Sequence, residues 1–147
     1  LGSQLATLPF PPDVVIGSGV GAGQSDLAFF DKRPLAGSAN EELDLAGGLV
    51  DLLGATITFA KVCGIYVQAD AANGGNIVVG GAAANTFLGP FVNATDKVNV
   101  AAGQRFVAVN MLAAGWPVTP ATADLLRIEN DDAGAANYDL VIIGRTA

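Results

Sequence analysis

The sequence predicts an all-β fold, an antiparallel β-sandwich of the jelly-roll type with an extended N-terminal arm, and three observations lead there. Apolar residues recur at period two in short segments rich in Val, Ile, Thr and Phe. Clusters of Gly, Pro and Asn separate these segments at roughly eight-to-twelve-residue spacing. No stretch keeps a helical apolar period without interruption: Leu45, Leu49, Leu52 and Leu53 come nearest, but Gly47 and Gly48 each cost about 1 kcal/mol against Ala in a helix, so one turn at most is expected.

Residues 1–24 read as the arm and residues 25–147 as one sandwich domain. The arm holds Pro9, Pro11 and Pro12, then Gly17, Gly19, Gly21 and Gly23 alternating with small residues. Its apolar run, Val14, Val15 and Ile16, is suited to adding a strand to a neighbouring sheet and supplies three interface candidates. Next come Leu27 to Phe30 and Glu42 to Leu45 as short strands. Thr56 to Gln68 is a longer β segment, with Ile57, Phe59, Ile65 and Val67 in alternation. Lys61 sits in phase with that apolar set, which predicts a kink or bulge beside it.

Asn73-Gly74-Gly75 reads as a hairpin turn into Asn76 to Val79. Further strands are expected at Thr86 to Leu88, Lys97 to Val100, Arg105 to Val109 and Leu125 to Ile128. Lys97 to Val100 and Arg105 to Val109 alternate, with Phe106 opposite in phase to Val107 and Val109. The last strand, Tyr138 to Gly144, is nearly continuous in apolar residues and is expected to be central.

Composition bounds the function. The chain has 147 residues, of which 14% are charged, 14 acidic and 7 basic, with one Cys and no His. A typical domain carries about 25% charged residues, roughly 37 at this length, so either the solvent face is unusually neutral and rich in small residues or part of it is not solvent face at all. Without His the usual general base, the Ser-His-Asp arrangement and the commonest metal ligand are missing, and the chain is not expected to be an enzyme. A net charge of −7 with scattered basic residues speaks against a nucleic-acid partner. Asn76 to Phe91 is apolar but broken by glycines and Pro90, so no membrane span is expected; nor is a signal peptide, and the start at Leu1 suggests a processed chain.

Several motifs have plainer readings. Gly17-Ser18-Gly19-Val20-Gly21-Ala22 matches a dinucleotide fingerprint, but no helix signal comes after it to meet a pyrophosphate, so no cofactor is expected. Asp124, Glu129, Asp131 and Asp132 lack calcium-loop spacing and read as solvated loop carboxylates, as does the knot of Glu41, Glu42 and Asp44; no metal site is expected. No pair among the acids stands out for glycoside hydrolysis. Cys63 reads as a buried inert thiol. Asn93-Ala94-Thr95 is a glycosylation acceptor only in a eukaryotic secretory setting. Trp116 is the fourth interface candidate, either an exposed anchor or a cap on one end of the sandwich.

A set of blocks runs through the chain in a fixed order: Asp31-Lys32-Arg33-Pro34-Leu35-Ala36, Leu43-Asp44-Leu45-Ala46-Gly47, Thr58-Phe59-Ala60-Lys61-Val62, Ile77-Val78-Val79-Gly80-Gly81-Ala82, Gly89-Pro90-Phe91, Ala94-Thr95-Asp96-Lys97-Val98, Asp124-Leu125-Leu126-Arg127-Ile128 and Tyr138-Asp139-Leu140-Val141-Ile142-Ile143-Gly144. In this order the stretch from Leu27 to Gly144 resembles small structural proteins encoded by tailed bacteriophages. The resemblance implies a virion component on the outer surface of the capsid, a decoration or cement protein acting as a homotrimer that clamps the major capsid protein. It carries no catalytic motif. A receptor- or glycan-binding module of a head spike or tail fibre, using Trp116 and the loop acids, is the alternative.

Overall fold

The computed structural model describes residues 16–147. The candidates Val14 and Val15 lie outside the described residues. Among those described there are thirteen strands and no helix: β1 Gly17–Ser18, β2 Gln24–Ser25, β3 Leu27–Leu35, β4 Asn40–Asp44, β5 Leu49–Val50, β6 Thr56–Ile57, β7 Lys61–Ala69, β8 Ile77–Gly80, β9 Lys97–Val100, β10 Arg105–Val109, β11 Trp116–Pro117, β12 Leu125–Asn130 and β13 Ala136–Arg145.

Two larger antiparallel sheets form a sandwich-like body. The first has the order β10-β7-β13-β3, with β11 also on β7; the second has the order β4-β12-β8-β9. Apart from the β8–β9 hairpin, each step along β3, β4, β7, β8, β9, β10, β12 and β13 moves the chain from one sheet to the other.

The core lies between the facing sides. From the first sheet come Phe29, Leu35, Val62, Ile65, Val67, Tyr138, Leu140 and Ile142; from the second come Leu43, Ile77, Val79, Val100, Leu126 and Ile128. The alternation that places them is the strand period of two, with one face turned to the core. The last strand is central, flanked by β3 and β7 along its length.

The register explains Lys61. β13 pairs Ile143 with Gly64 but Gly144 with Val62, so Cys63 is the extra residue of a β-bulge in β7. Thr58 to Ala60 also leaves the strand, and these two breaks let Phe59, Val62 and Ile65 all point inward while Lys61 stays half-buried. Gly144 passes directly over this site: a Cβ there would lie 2.3 Å from the Lys61 carbonyl and 2.5 Å from the Phe59 ring.

Three local expectations are corrected. Asn73-Gly74-Gly75 does not close a hairpin, because β7 and β8 belong to different sheets; it turns the chain across the end of the sandwich, held by Asn73 Nδ2 donating to the Asn137 carbonyl at 2.9 Å and the Asn137 amide donating to Asn73 Oδ1 at 2.9 Å. Thr86 to Leu88 forms only a bridge from Thr86 to Leu125. Residues 17–25, which composition assigns mostly to an extended arm, form a tight loop in which β1 pairs in parallel with β2.

That loop accounts for the fingerprint-like glycines. It wraps the Gln24 side chain, whose Oε1 accepts the Gly21 amide at 2.9 Å; a Cβ on Gly19, where φ is +135°, would lie 2.6 Å from the same oxygen. The chain then runs into the strand β3, and no helix opens at the glycines.

Candidate interaction surface

The two sheets differ on their outward sides. Outward positions of the second sheet carry Glu42, Arg127, Glu129, Lys97 and Asn99 beside the half-buried Leu125 and Val78, with Lys97 and Arg127 bonded to Glu129 at 3.1 and 3.2 Å. This is an ordinary solvated side. The first sheet is different.

Its cross-strand pairs build three rows. Phe30, Val141, Tyr66 and Val107 form one continuous row across four strands, and Ala28, Ile143, Gly64 and Val109 form the next. Beside them runs a polar row of Lys32, Asp139, Gln68 and Arg105. Phe30 is 56% exposed and Val107 60%, so the apolar rows face out of the fold. At ~4.8 Å between strands and ~6.8 Å between rows, the two apolar rows cover roughly 260 Å² of the sheet and the polar row about half as much again. Contiguous apolar patches of a few hundred Å² on a monomer are often functional.

A hairpin extends the apolar area past the β3 edge. β5 pairs with β6, and the tip between them presents Leu52 and Leu53, the latter 94% exposed, beside Ala28 and Phe30. Asp51 Oδ1 holds the tip by accepting the amides of Leu53 and Ala55, each at 2.8 Å.

The polar groups elsewhere act as structural braces. Arg33, Glu41 and Tyr138 tie the two sheets at one end: the Arg33 guanidinium bonds both Glu41 oxygens at 2.6–3.0 Å, and the buried Tyr138 hydroxyl donates to Glu41 Oε1 at 2.6 Å. Burial, then the bond to Glu41, pushes the tyrosine pKa far up; the same carboxylate raises that of Arg33. A groove of about 400 Å³ opens beside this brace, lined by Asp31, Glu42, Asp44 and Gly48 among others.

Arg145 is fully buried without a carboxylate partner among the described residues. Its guanidinium donates to the carbonyls of Gln24 at 2.8 Å, Leu112 at 2.9 Å and Ala113 at 3.1 Å, locking the glycine loop and the 110–115 loop onto the end of β13. The loop acids brace the fold locally, only Asp124 of them from a buried position. Asp124 is buried and accepts the Ala121 amide, Asp131 accepts the Asn76 amide and side chain at 2.6 and 2.7 Å, and Glu129 takes the ion pairs from Lys97 and Arg127. Among the described residues no group of three or more His, Cys, Asp or Glu is placed to hold a metal.

Of the sequence-derived interface candidates, Ile16 is 40% exposed at the start of the glycine loop. Trp116 is half-buried in β11, paired with Val62 and packed on the core. The structure does not gather these two on the apolar side of the first sheet. The residues that do form it, Phe30, Val141, Ile143, Tyr66, Val107 and Val109, read in the sequence as strand but not as surface. One signal was available: a strand of an antiparallel sandwich open to water on one side alternates, so the unbroken apolar run of β13 implies a covered outward side. Comparison of the chain with known protein families, curated proteins and solved structures finds no match.

Proposed function

We propose that this chain is a phage virion structural protein of the capsid decoration or cement type, working as a homotrimer on the outer surface of the shell and contacting the major capsid protein through its N-terminal segment. The observation that carries this reading is the asymmetry of the sandwich: one outward side solvated and ion-paired, the other apolar across four strands. A protein built in this way works by contact area.

The strand order supports the same reading. Counting the eight long strands from β3 to β13, skipping the two-residue ones, the sheets run first-eighth-third-sixth and second-seventh-fourth-fifth. We read this as the jelly roll, two Greek keys folded into a double sheet, an architecture used by viral capsid and lectin domains. Between those two uses, the glycan reading rests on Trp116 and the loop acids, and Trp116 is packed on the core while Asp124 is buried. The charge deficit fits subunit contacts that need no charged groups.

The test is reconstitution on capsid shells lacking this protein. Added chain is expected to bind at a fixed copy number per shell and to raise the temperature at which shells open, with a chain starting at Gly17 binding more weakly. Shells that neither take up the chain nor gain stability would show the assignment to be wrong.

A further inference from the structure

We propose that the outward side of the first sheet is the docking site for a second copy of this chain, with Asp139 of one copy paired to Arg105 of the other. The inference deepens the oligomeric part of the decoration-protein reading, on which it rests, by naming the surface and its residues.

Charge singles out this surface and this occupant. Each chain carries −7, so two copies repel on most approaches. On the outward side of the first sheet the charged groups of the polar row are Lys32, Arg105 and Asp139, and Asp70 beside it pairs with Lys32 at 3.2 Å, so cations and carboxylates balance there, whereas the chain as a whole has twice as many acids as bases. It is a surface on which the net repulsion is absent.

The arrangement is also complementary to itself. The half formed by β3 and β13 presents Phe30, Val141, Ile143, Asp139 and Lys32, the last neutralised by Asp70 at 3.2 Å; the half formed by β7 and β10 presents Tyr66, Val107, Val109, Gln68 and Arg105. Laid on each other, apolar row meets apolar row, and in the polar row the Asp139 carboxylate lies one strand from the facing Arg105 guanidinium. Among the described residues neither charge is used inside the chain: Asp139 has no hydrogen bond or ion pair, and Arg105 bonds only the neutral Gln68, at 3.2 Å. The same half-to-half match serves a two-fold pair, where it occurs twice, and a ring, where the β13 half of each copy meets the β10 half of the next.

Sedimentation velocity of the full chain and of three variants tests this. The unaltered chain is expected to associate, and R105D or D139R alone to weaken association about 100-fold by placing like charges together. The double variant R105D/D139R is expected to recover most of that loss. Far-UV circular dichroism and thermal melting check folding, and V107D, expected to give a monomer, replaces any charge variant that does not fold. A monomeric unaltered chain, single variants that associate as before, or a double variant no better than the singles would each overturn the proposal. Shell binding is read separately: self-association through this surface without shell binding defeats the decoration reading and leaves this inference standing, whereas a monomer that coats shells defeats this inference and the homotrimer, and leaves the place on the shell standing.

Discussion

Arg145 concentrates more structural consequence than any other single side chain. Its buried charge is compensated by backbone carbonyls from two loops, so truncation leaves those carbonyls unpaired and unties both loops. Arg145→Ala is expected to cost about 3 kcal/mol or more in a denaturant titration, with Arg145→Lys recovering only part because it lacks the planar fork. Tyr138→Phe is expected to cost about 1–2 kcal/mol in the same assay, since it strands one lone pair of Glu41 while the ring still fills the core. Cys63 is buried in the β-bulge, and desolvation pushes its thiol pKa up. Its reaction with a thiol reagent is therefore expected to track unfolding: slow in buffer, fast in denaturant.

Strands were legible where a side of a sheet was buried and illegible where pairing alone made them. β8, β9, β10, β12 and β13 each fall within one or two residues of an alternating or apolar run. β11 has two residues and exists because Trp116 and Pro117 lie along β7, which no local pattern encodes. Asn73-Gly74-Gly75 specifies a reversal of direction but not the neighbour the chain reverses onto; that choice is made by which apolar sides must meet across the sandwich. The apolar outward side of the first sheet is hard to read for a related reason. Alternation separates two sides of a strand without saying which is inside, and in β10 the side with the two valines, Val107 and Val109, is the outer one while Phe106 packs on the core. For the β5–β6 hairpin, whose tip rests on Asp51, Asp51→Ala is expected to speed amide exchange at Leu53 and Ala55 without lowering global stability, as read by hydrogen exchange and thermal melting.

For the molecule as a whole, the carboxylates that brace loops make stability depend on acid. Thr146 holds the Asp26 pKa down, the Ala72 amide and then Lys32 do so for Asp70, and Asn76 does so for Asp131. Each folded-state value lies below its unfolded one, so the stabilisation is full above the unfolded value of about 3.9 and is lost as pH falls through the folded values. Melting temperature is expected to be level from neutral pH to about 5 and to drop below about pH 4, with D131N blunting part of the drop. The place of β13 has a different consequence, one that belongs to synthesis. Among the described strands, the one inside the first sheet is the last in chain order, and its partner β3 is among the first, joined by the pairing of Leu27 with Gly144. While the ribosome still holds residues 136–145, β3 and β7 have no strand to lie between them, and the first sheet cannot close. Closure of the first sheet thus waits for residues 136–145 to emerge, and until then β3 and β7 each keep an open edge.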